Sequence, residues 1–571
     1  MVNQQIAQKF YKTADLLEIM GENPFRVRAY RNAARTIESL GRDLSEMVAQ
    51  GEDLTKLPGI GKDLAQKIQE IIETGTFQKL KELEEEVPPG LIELLKVEGL
   101  GPKRIKTLYD TLGITSLEEL REAAQKGEIS KLPGFGKKLE QTILKGVVLA
   151  KKEGRRFRWA YVESFALELV DFLKKAKGLN AIEVAGSFRR KKETVGDLDI
   201  LVTATNPKEV IEHFVTFPEI KEVLSKGSTR STIILSSNIQ VDLRAVEEES
   251  YGSALHYFTG SKAHNIAIRS LAQKLGLKIN EYGVFKGEER IAGRSEEEIF
   301  ASVGLPYIEP ELRENRGEIE AAMEGRLPKL ITISDIRGDL HCHTKWSDGQ
   351  YSIAEMVAAA RRLGHSYIAI TDHSRRLAMI KGLDEKRLEM QAREIEEVRG
   401  HFPDIQILHG IEVDILEDGS LDLPDSALEL LDIVVAAIHS KFKLSKKKQT
   451  MRLLKAMDNP HVNIIAHPTG RLIGVREGYE LDMEKVMKHA AQNGCILELN
   501  AQPSRLDLND VNLKLAKEMG IKISIATDAH NMDNLLYMRY GVNQARRGWL
   551  ERRDVINTLS AEKLLETLKR Q

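Results

Sequence analysis

The chain has 571 residues, enough for several domains, and its 84 basic and 86 acidic side chains leave a net charge of −2. A near-neutral chain gives no global electrostatic reason to bind nucleic acid, so any basic footprint must be local. Two cysteines far apart exclude a disulfide framework and fit a reducing compartment. No apolar run approaches the roughly 18 residues of a membrane span, so we expect a soluble, cytoplasmic protein.

A glycine motif repeats through the first part of the chain. Residues 57–61 read Leu-Pro-Gly-Ile-Gly, residues 132–136 read Leu-Pro-Gly-Phe-Gly, and residues 97–101 form a looser copy, Val-Glu-Gly-Leu-Gly. A basic residue and an amphipathic helical pattern follow each copy. The glycines let the backbone approach a phosphate, and the first N–H groups of the next helix face the anion. The pattern is typical of helix-hairpin-helix motifs, which contact the DNA backbone and carry no sequence information.

The repeat predicts a set of DNA contacts. One copy alone could be an ordinary turn between helices, and the repetition is what favours DNA binding. A helical pattern before Gly51 predicts that a small N-terminal domain begins there. Basic clusters at residues 151–156 and 189–192 would add local positive charge, although the first could be an ordinary solvated surface. The predicted contacts are Gly59, Gly61, Lys62, Gly99, Gly101, Gly134 and Gly136.

Three aspartates on two predicted strands indicate a metal site in the middle of the chain. Asp197 and Asp199 stand two positions apart on one strand, hence on one face and roughly 7 Å apart. A second strand at 239–244 presents Asp242. Such carboxylates can hold two Mg²⁺ ions roughly 3.5–4 Å apart, as nucleotidyl transfer requires. An isolated Asp-x-Asp is usually a solvated strand face, and the third aspartate with the upstream segment 186–190, Gly-Ser-Phe-Arg-Arg, favours catalysis.

These segments resemble the nucleotidyltransferase superfamily and, within it, the family X DNA polymerases. Residues 257–261, Tyr-Phe-Thr-Gly-Ser, and residues 305–310 with Arg313 are similar to that family's thumb. Gln240 and Lys262 stand where the animal enzymes carry an arginine and an acidic residue, which bears on primer and nucleotide affinity. The resemblance implies that Asp197, Asp199 and Asp242 are catalytic, with Asp242 helping to activate the primer 3′-OH. It implies nucleotide contacts at Gly186, Ser187, Arg190, Tyr257, Phe258, Gly260 and Asn265.

The same resemblance raises a second activity for the first hairpin. Related repair polymerases cleave a 5′-deoxyribose phosphate with a lysine on the following helix, and Lys67 stands at that position. A Schiff base needs a neutral amine. Asp63 replaces a basic residue of the animal enzymes, and its charge would hold Lys67 protonated. A lysine on an amphipathic helix is also most often only solvated, so we expect weak lyase activity at best.

The last part of the chain predicts a parallel β/α barrel with a metal cluster. Seven buried runs alternate with helical patterns, and the active site of such a barrel is built at the carboxyl ends of its strands. Those ends carry His, Asp or Glu almost every time. Any one of them could simply cap a strand; together, nine N/O ligands exceed what one four-coordinate ion needs and suit two or three ions of Zn, Mn or Fe. The predicted ligands are His341, His343, Asp348, His373, Glu412, His439, His467, Asp528 and His530.

Other residues in the same region are expected to be unrelated to the metals. Cys342 stands between two predicted ligands on a strand, so it points to the opposite face and is expected to be buried packing. The histidines expected at the surface or in loops are His365, His401, His409, His461 and His489.

All nine ligand positions match the metal motif of the polymerase and histidinol phosphatase (PHP) family. That family is a distorted seven-stranded β/α barrel that hydrolyses phosphoesters with a cluster of ions. Joined to the preceding part, it implies a multidomain bacterial family X polymerase: helical hairpin domains, an α+β palm and thumb, and the barrel. The expected boundaries are 1–85 and 86–150 for the helical domains, 151–245 for the palm, 246–317 for the thumb, 318–334 for a linker and 335–571 for the barrel.

The resemblance implies a DNA repair enzyme of the base excision type. It would fill short gaps in gapped or nicked DNA from dNTPs, with Mg²⁺ at the aspartates, and act as a monomer. The barrel, with Mn²⁺ and/or Zn²⁺, would remove 3′ nucleotides, clean blocked 3′ ends or nick abasic sites. Two alternatives stay open: a DNA-binding scaffold with dead sites, which predicts missing ligands, and a small-molecule phosphatase fused to a polymerase.

Overall fold

The structure is a computed structural model that describes residues 2–95, 97, 99–150, 156–376 and 381–569. The chain divides into two compact units, Met1–Arg156 and Phe157–Gln571. This break falls near the boundary expected after residue 150, and the finer division into domains remains a prediction. Within the described ranges, no helix is long and apolar enough to cross a membrane.

The first unit is helical and packs around three aromatic rings. Phe10 meets Phe77 edge to face at 5.8 Å between ring centroids, and Tyr30 stacks on Phe77 at 6.3 Å. Local signals fix the helix ends: the Asn23 side chain caps the start of the second helix, and Gly75 ends the fourth in the left-handed conformation. The helices are α1 (Val2–Met20), α2 (Pro24–Ser39), α3 (Leu44–Ala49), α4 (Lys62–Thr74), α5 (Gln78–Glu86), α6 (Gly90–Leu94), α7 (Pro102–Leu112), α8 (Leu117–Gln125) and α9 (Lys137–Ala150).

The glycine repeats form three similar turns, each directly before a helix. Gly59, Gly99 and Gly134 have φ of +75°, +86° and +80°, a left-handed conformation that favours glycine. The second glycine of each copy is the residue before α4, α7 or α9. The basic residues 151–155 and the side chain of Lys138 lie outside the described residues.

The second unit begins with the palm, whose sheet has the strand order β2-β4-β7-β6-β5. In this sheet β4 and β7 run parallel, and the other neighbouring strands are antiparallel. This pairing places the two aspartate strands side by side at the centre. The elements are β1 (Phe157–Arg158), α10 (Trp159–Leu173), β2 (Leu179–Val184), α11 (Gly186–Arg189), β3 (Thr194–Val195), β4 (Asp197–Ala204), α12 (Pro207–Phe214), β5 (Ile220–Lys226), β6 (Arg230–Leu235) and β7 (Gln240–Val246).

A smaller α+β part follows, and the predicted linker after it is folded. Residues 318–334 contain a helix with buried Ile319, Ala321 and Ala322, and the Ile331 N–H donates to the Leu550 carbonyl oxygen at 3.0 Å. The segment is therefore packed against the barrel. The elements are α13 (Tyr251–Thr259), α14 (Lys262–Lys274), β8 (Lys278–Asn280), β9 (Gly283–Lys286), β10 (Glu289–Ala292), α15 (Glu296–Ser302) and α16 (Glu318–Met323).

The last part is a nearly closed parallel barrel whose seven strands follow one another in chain order. A parallel bridge between Cys342 and Ala529 brings the first and last strands together. The strands are β11 (Gly338–Asp339), β12 (Tyr367–Ile370), β13 (Gln406–Asp414), β14 (Ile433–Ala437), β15 (Ile464–Ile465), β16 (Ile496–Asn500) and β17 (Ile523–Ala526). The surrounding helices are α17 (Ile353–Arg362), α18 (Glu385–His401), α19 (Asp425–Leu428), α20 (Lys446–Asp458), α21 (Met483–Asn493), α22 (Asp510–Glu518), α23 (Met538–Arg547) and α24 (Ala561–Leu568).

Two details of the barrel differ from the sequence interpretation. The run 462–465 forms a strand only at Ile464 and Ile465. The strand β13 extends through Glu412 to Asp414, so His409 lies inside it, buried, and contacts the Gln391 side chain at 3.2 Å. The expectation that His409 lies at the surface or in a loop is therefore wrong. Cys342 is fully buried in apolar packing, as expected.

Candidate active sites

The palm brings its three predicted catalytic aspartates onto neighbouring strands. Leu198 and Ile200 are buried on one face of β4, and Asp197 and Asp199 project from the other. The parallel register pairs Asp199 with Asp242 on β7. Burial and the charges of Asp197 and Asp242 raise the pKa of Asp199 to about 7. Bound cations would relieve this repulsion, so the three carboxylates fit divalent metal ions.

Donors on two strands orient the Asp242 carboxylate. The Thr232 hydroxyl donates to Oδ1 at 2.6 Å, and Gln240 Nε2 donates to Oδ2 at 2.7 Å. Arg230 lies 3.4 Å from Oδ1. The sequence interpretation named neither Thr232 nor Arg230 because both lie on β6, whose pairing with β7 the sequence does not show. Gln240, which stands where the animal enzymes carry an arginine, therefore still gives the Asp242 carboxylate a hydrogen-bond donor.

The predicted nucleotide contacts lie around one short helix and one bend. Residues 186–189 form the single-turn helix α11 rather than a simple turn. Gly186 has a φ of +63°, and a Cβ there would lie 2.8 Å from Asp199 Oδ2, so only glycine fits beside the catalytic strand. Ser187 is the next residue on α11. A Cβ on Gly260 would lie 3.2 Å from the Arg190 guanidinium, so this glycine allows the arginine to approach the bend.

The other predicted nucleotide contacts stand at the end of α13 and the start of α14. The rings of Tyr257 and Phe258 are 5.0 Å apart. The Asn265 Nδ2 donates to the Tyr257 carbonyl oxygen at 2.7 Å, while its Oδ1 is buried without a partner among the described residues. The Arg190 guanidinium donates to the Thr259 carbonyl oxygen. Gly186 thus lies beside Asp199, Arg190 reaches the bend at Gly260, and Asn265 contacts Tyr257.

Every predicted barrel ligand lies at or just beyond the carboxyl end of a strand. The strand-end geometry of a parallel barrel explains this convergence. In strand order the ligands are His341, His343 and Asp348 after β11, His373 after β12, Glu412 near the end of β13, His439 after β14, His467 after β15, and Asp528 and His530 after β17.

Glu412 is the centre of this cluster. It is 1% exposed, and its two oxygens lie between 2.8 and 3.5 Å from ring nitrogens of five histidines, namely His341, His343, His373, His439 and His467. One carboxylate that reaches five imidazoles can bridge neighbouring ions.

Eight of the nine predicted ligands form three overlapping sets of donor atoms, each with all atoms within 4.8 Å of one another, and His467 belongs to none of them. His343 belongs to two of the sets, and His373 also belongs to two. Asp348 and Asp528 add carboxylate oxygens 3.3 and 3.2 Å from His530 and His343. The sets are His343, Asp348, His373 and His530; His341, His343 and Asp528; and His373, Glu412 and His439.

The chemistry of these donors fits metal ions. Several ring nitrogens and one carboxylate oxygen are buried without a hydrogen-bond partner among the described residues, including His341 Nε2, both nitrogens of His343, and Glu412 Oε2. Burial and the charges of His530 and His373 lower the pKa of His343 to about 4. His343 thus offers neutral imidazole nitrogens beside a carboxylate in a buried site, and such nitrogens are donors that a divalent ion needs.

Two carboxylates that the sequence interpretation missed support the cluster. Glu498 Oε1 lies 2.7 Å from His341 Nδ1, and Asp414 Oδ1 lies 3.1 Å from His439 Nδ1. Burial alone would lower the pKa of His439, but Glu412 and Asp414 outweigh it and raise that pKa to about 10. Carboxylates behind metal-binding histidines fix the ring orientation. The available signal was an acidic residue inside an otherwise apolar strand.

In the first unit, the predicted lyase residue lies on α4 in an ion pair. The Lys67 ammonium contacts the Asp63 carboxylate, and its Nζ lies 5.8 Å from the centre of the Tyr30 ring. Gly61 is the residue before this helix, and a Cβ there would meet nothing within 4 Å. Lys62 begins the helix beside this open backbone.

Known protein families match the chain in order from residue 1 to residue 502, with gaps between the matches. Residues 1–77 match a helix-hairpin-helix domain and residues 91–147 a SAM-like helix-hairpin-helix tandem. Residues 162–252 match the DNA polymerase beta palm and residues 254–314 the DNA polymerase beta thumb. Residues 339–502 match the PHP domain. These matches confirm the predicted fold class.

One relative matches the full length of the chain, and others match about a third of it. The DNA polymerase/3′-5′ exonuclease PolX of Bacillus subtilis is 43% identical over 574 residues, which cover 100% of both chains. A probable phosphatase of Thermoanaerobacter sp. is 35% identical over 204 residues, 34% of this chain and 78% of its own. A probable phosphatase of Caldicellulosiruptor saccharolyticus is 33% identical over 203 residues, 34% of this chain and 79% of its own.

Proposed function

Because the chain belongs to the family X DNA polymerases that carry a C-terminal PHP domain, we propose that it fills short gaps in DNA and processes DNA 3′ ends. The single observation that carries the proposal is that one chain holds two separate groups of candidate metal ligands. The palm offers three carboxylates beside a glycine-rich nucleotide region. The barrel offers six histidines and three carboxylates.

In the proposed polymerase reaction the aspartates act on the primer and the triphosphate. Asp242, held by Thr232 and Gln240, faces the primer 3′-OH and helps to take up its proton. Arg190 and the N–H groups at the start of α11 receive the triphosphate. The sugar is lined by Tyr257, Phe258 and Gly260. The side-chain amide of Asn265 reaches the edge of the incoming base.

In the proposed barrel reaction the buried residues hold and orient a phosphodiester. Divalent ions bound at either site would supply Lewis-acid activation of the phosphoryl oxygens and the nucleophile. Glu412 fixes five imidazoles toward the site, and Glu498 and Asp414 set two of their ring orientations. The cluster is largely shielded from water, which strengthens these electrostatic contacts. Removal of 3′ nucleotides and nicking at abasic sites are both hydrolyses of this kind.

The cofactors and partners follow from the donor types. We assign Mg²⁺ to the all-carboxylate palm site and Mn²⁺ and/or Zn²⁺ to the histidine-rich barrel. The substrates are gapped or nicked DNA and dNTPs, in a base excision type of repair. Because one chain holds both sites complete, a monomer is sufficient. DNA as substrate and a bacterial relative support a cytoplasmic location.

Paired variants test this proposal on a one-nucleotide gap. Asp197→Ala or Asp242→Ala should abolish incorporation by loss of a metal ligand, and leave 3′ processing intact. The double variant His341→Ala/His343→Ala should show the opposite result, because the two ligand sets do not overlap. Near wild-type incorporation by either aspartate variant would refute the palm assignment, and full 3′ degradation by the histidine variant would refute the barrel assignment.

A second candidate for the barrel is hydrolysis of a free phosphomonoester, favoured by its match to two probable phosphatases. Activity on a small phosphomonoester without activity on a DNA 3′ end would support it. Both substrates should therefore be offered to the same preparation, with the His341→Ala/His343→Ala variant as the blank.

A further inference from the structure

A buried arginine of the barrel reaches the nucleotide region of the palm. Arg547, the last residue of α23, donates from Nη1 to the Arg190 carbonyl oxygen at 2.8 Å and lies 3.2 Å from Glu314 Oε1. The same Glu314 oxygen accepts from Arg190 Nε at 3.0 Å. The Arg547 Nη2 atom donates to Asp510 Oδ2 at 2.6 Å. Arg547 therefore contacts both the main chain of Arg190 and the carboxylate that holds its side chain.

Charged side chains meet here in a buried setting, and Lys192 and Arg316 also act on Glu314. Glu314 and Arg190 are each 11% exposed and Arg547 is 2% exposed. Burial would raise the pKa of Glu314, but Arg547 and then Arg190 outweigh it and lower that pKa to about 2. Glu314 is therefore an anion beside the arginine that we assign to the triphosphate. Without Arg547 this anion would be less fully compensated, would draw more strongly on Arg190 and would repel an incoming triphosphate.

We propose that Arg547 is a positioning residue for the polymerase: by neutralising Glu314 and binding the Arg190 carbonyl oxygen, the barrel keeps Arg190 available to the nucleotide. This inference rests on the proposed role of Arg190. It assigns the barrel a part in nucleotide binding that is independent of its own metal cluster. Arg547 touches neither substrate nor metal, so it acts through Glu314 and Arg190.

The test is steady-state incorporation on a one-nucleotide gap by full-length variants. Arg547→Gln keeps hydrogen-bonding capacity and loses the charge, so the KM for dNTP should rise about tenfold with little change in kcat. Adding Glu314→Gln should bring the KM back toward wild type, because the anion that lost its strongest partner is gone. Arg547→Lys, which retains the charge, should stay closer to wild type than Arg547→Gln.

A matched control separates this effect from loosening of the whole contact between palm and barrel. Arg539 also joins the two, through a 2.7 Å ion pair with Glu163 away from the nucleotide residues. Arg539→Ala should leave the KM unchanged. An unchanged KM in Arg547→Gln, an equal rise in Arg539→Ala, or no recovery on adding Glu314→Gln would each overturn the inference. Barrel activity on a DNA 3′ end reports whether each variant is folded.

Glu314→Gln alone covers the case in which Arg547→Gln does not fold. This variant should leave the KM for dNTP the same or lower, since Glu314 competes with the triphosphate for Arg190. A rise of about tenfold would overturn the inference, because the site would then need the anion itself. If wild-type protein incorporated no nucleotide, the proposed polymerase function would fail first, and that outcome is distinct from every one above.

Discussion

At the scale of single residues, the barrel depends on carboxylates that hold imidazoles. Glu412 reaches five histidines directly, whereas Glu498 Oε1 lies behind His341 Nδ1 and its Oε2 accepts from the His467 backbone N–H at 2.6 Å. Loss of the first would dismantle the donor set. Loss of Glu498 would leave every donor atom present, but the His341 ring would be less firmly oriented and less basic. The supporting carboxylate therefore offers the more informative variant.

Glu498→Gln should weaken metal binding by about tenfold or more without loss of the fold, because the charge behind His341 is gone and the side-chain shape is kept. Two quantities are measured: 3′ processing as a function of Mn²⁺ concentration, and the affinity of the protein for Mn²⁺. Polymerisation should not change. Glu355→Gln, an exposed helix-capping residue of the barrel, is the control. Equal metal dependence in both variants would contradict the role assigned to Glu498.

Lys67 lies in an ion pair with Asp63, and an ammonium in an ion pair is a poor nucleophile. Borohydride trapping on an incised abasic substrate should give a weak adduct with wild-type protein and none with Lys67→Ala. Asp63→Asn removes the competing anion and should strengthen the adduct. A strong adduct that persists in Lys67→Ala would place the nucleophile elsewhere, and no adduct in any variant would leave Lys67 as a DNA-phosphate contact.

At the scale of elements, the hairpin turns use their two glycines differently. Gly59 has a φ of +75°, a left-handed conformation that strains any residue with a Cβ. Gly61 has an extended backbone with φ of −85° and open space around its Cα. The first glycine therefore shapes the turn, and the second leaves room at the start of α4 where a phosphate would approach.

This difference predicts opposite results for two alanine variants. Gly59→Ala should destabilise the first unit by about 1 kcal/mol through backbone strain. Gly61→Ala should leave stability within about 0.5 kcal/mol and lower DNA affinity about fivefold, the scale of one lost hydrogen bond. Thermal unfolding and binding to gapped DNA measure the two effects. Wild-type DNA affinity in Gly61→Ala would remove the proposed phosphate contact.

At the scale of the whole second unit, buried ion pairs join palm, thumb and barrel. Arg547 and Arg190 share Glu314, and Arg189 and Arg313 share Glu296. Burial would raise the pKa of Glu296, but the charges of Arg313 and Arg189 outweigh the effect of burial and lower this pKa to about 2. Because both carboxyl pKa values are depressed on folding, their stabilisation is fully present above the unfolded value of about 4.3 and is lost as pH falls through about 2.

Glu314→Gln should therefore lower the free energy of unfolding at pH 7 by about 1–3 kcal/mol, and this deficit should shrink as pH falls from about 4 toward 2. Chemical denaturation across this range measures it. Glu324→Gln is the control, because Glu324 pairs with Arg326 at the surface and should give no deficit at any pH. A deficit for Glu314→Gln that does not depend on pH would show that its charge is not the stabilising feature.

The sequence by itself determined the features that depend on local order. Alternation on one strand puts Asp197 and Asp199 on the same face. Parallel strands that end at the same edge of a barrel bring together residues such as His373 and His530, although they are far apart in the chain. Glycines before a basic residue predict the hairpin turns for the same reason: the constraint acts within a few residues. The site residues found this way keep their predicted roles until they are tested.

Only the tertiary structure decided the contacts between elements that no local rule connects. Glu498 stands behind His341 because β16 and the end of β11 face the same interior, and Thr232 supports Asp242 because β6 pairs with β7. His409 is buried because β13 continues past the predicted run. Arg547 meets Arg190 across 357 positions of sequence. Such pairs depend on how finished domains pack, and long-range packing leaves no periodic trace in the sequence from which it could be predicted.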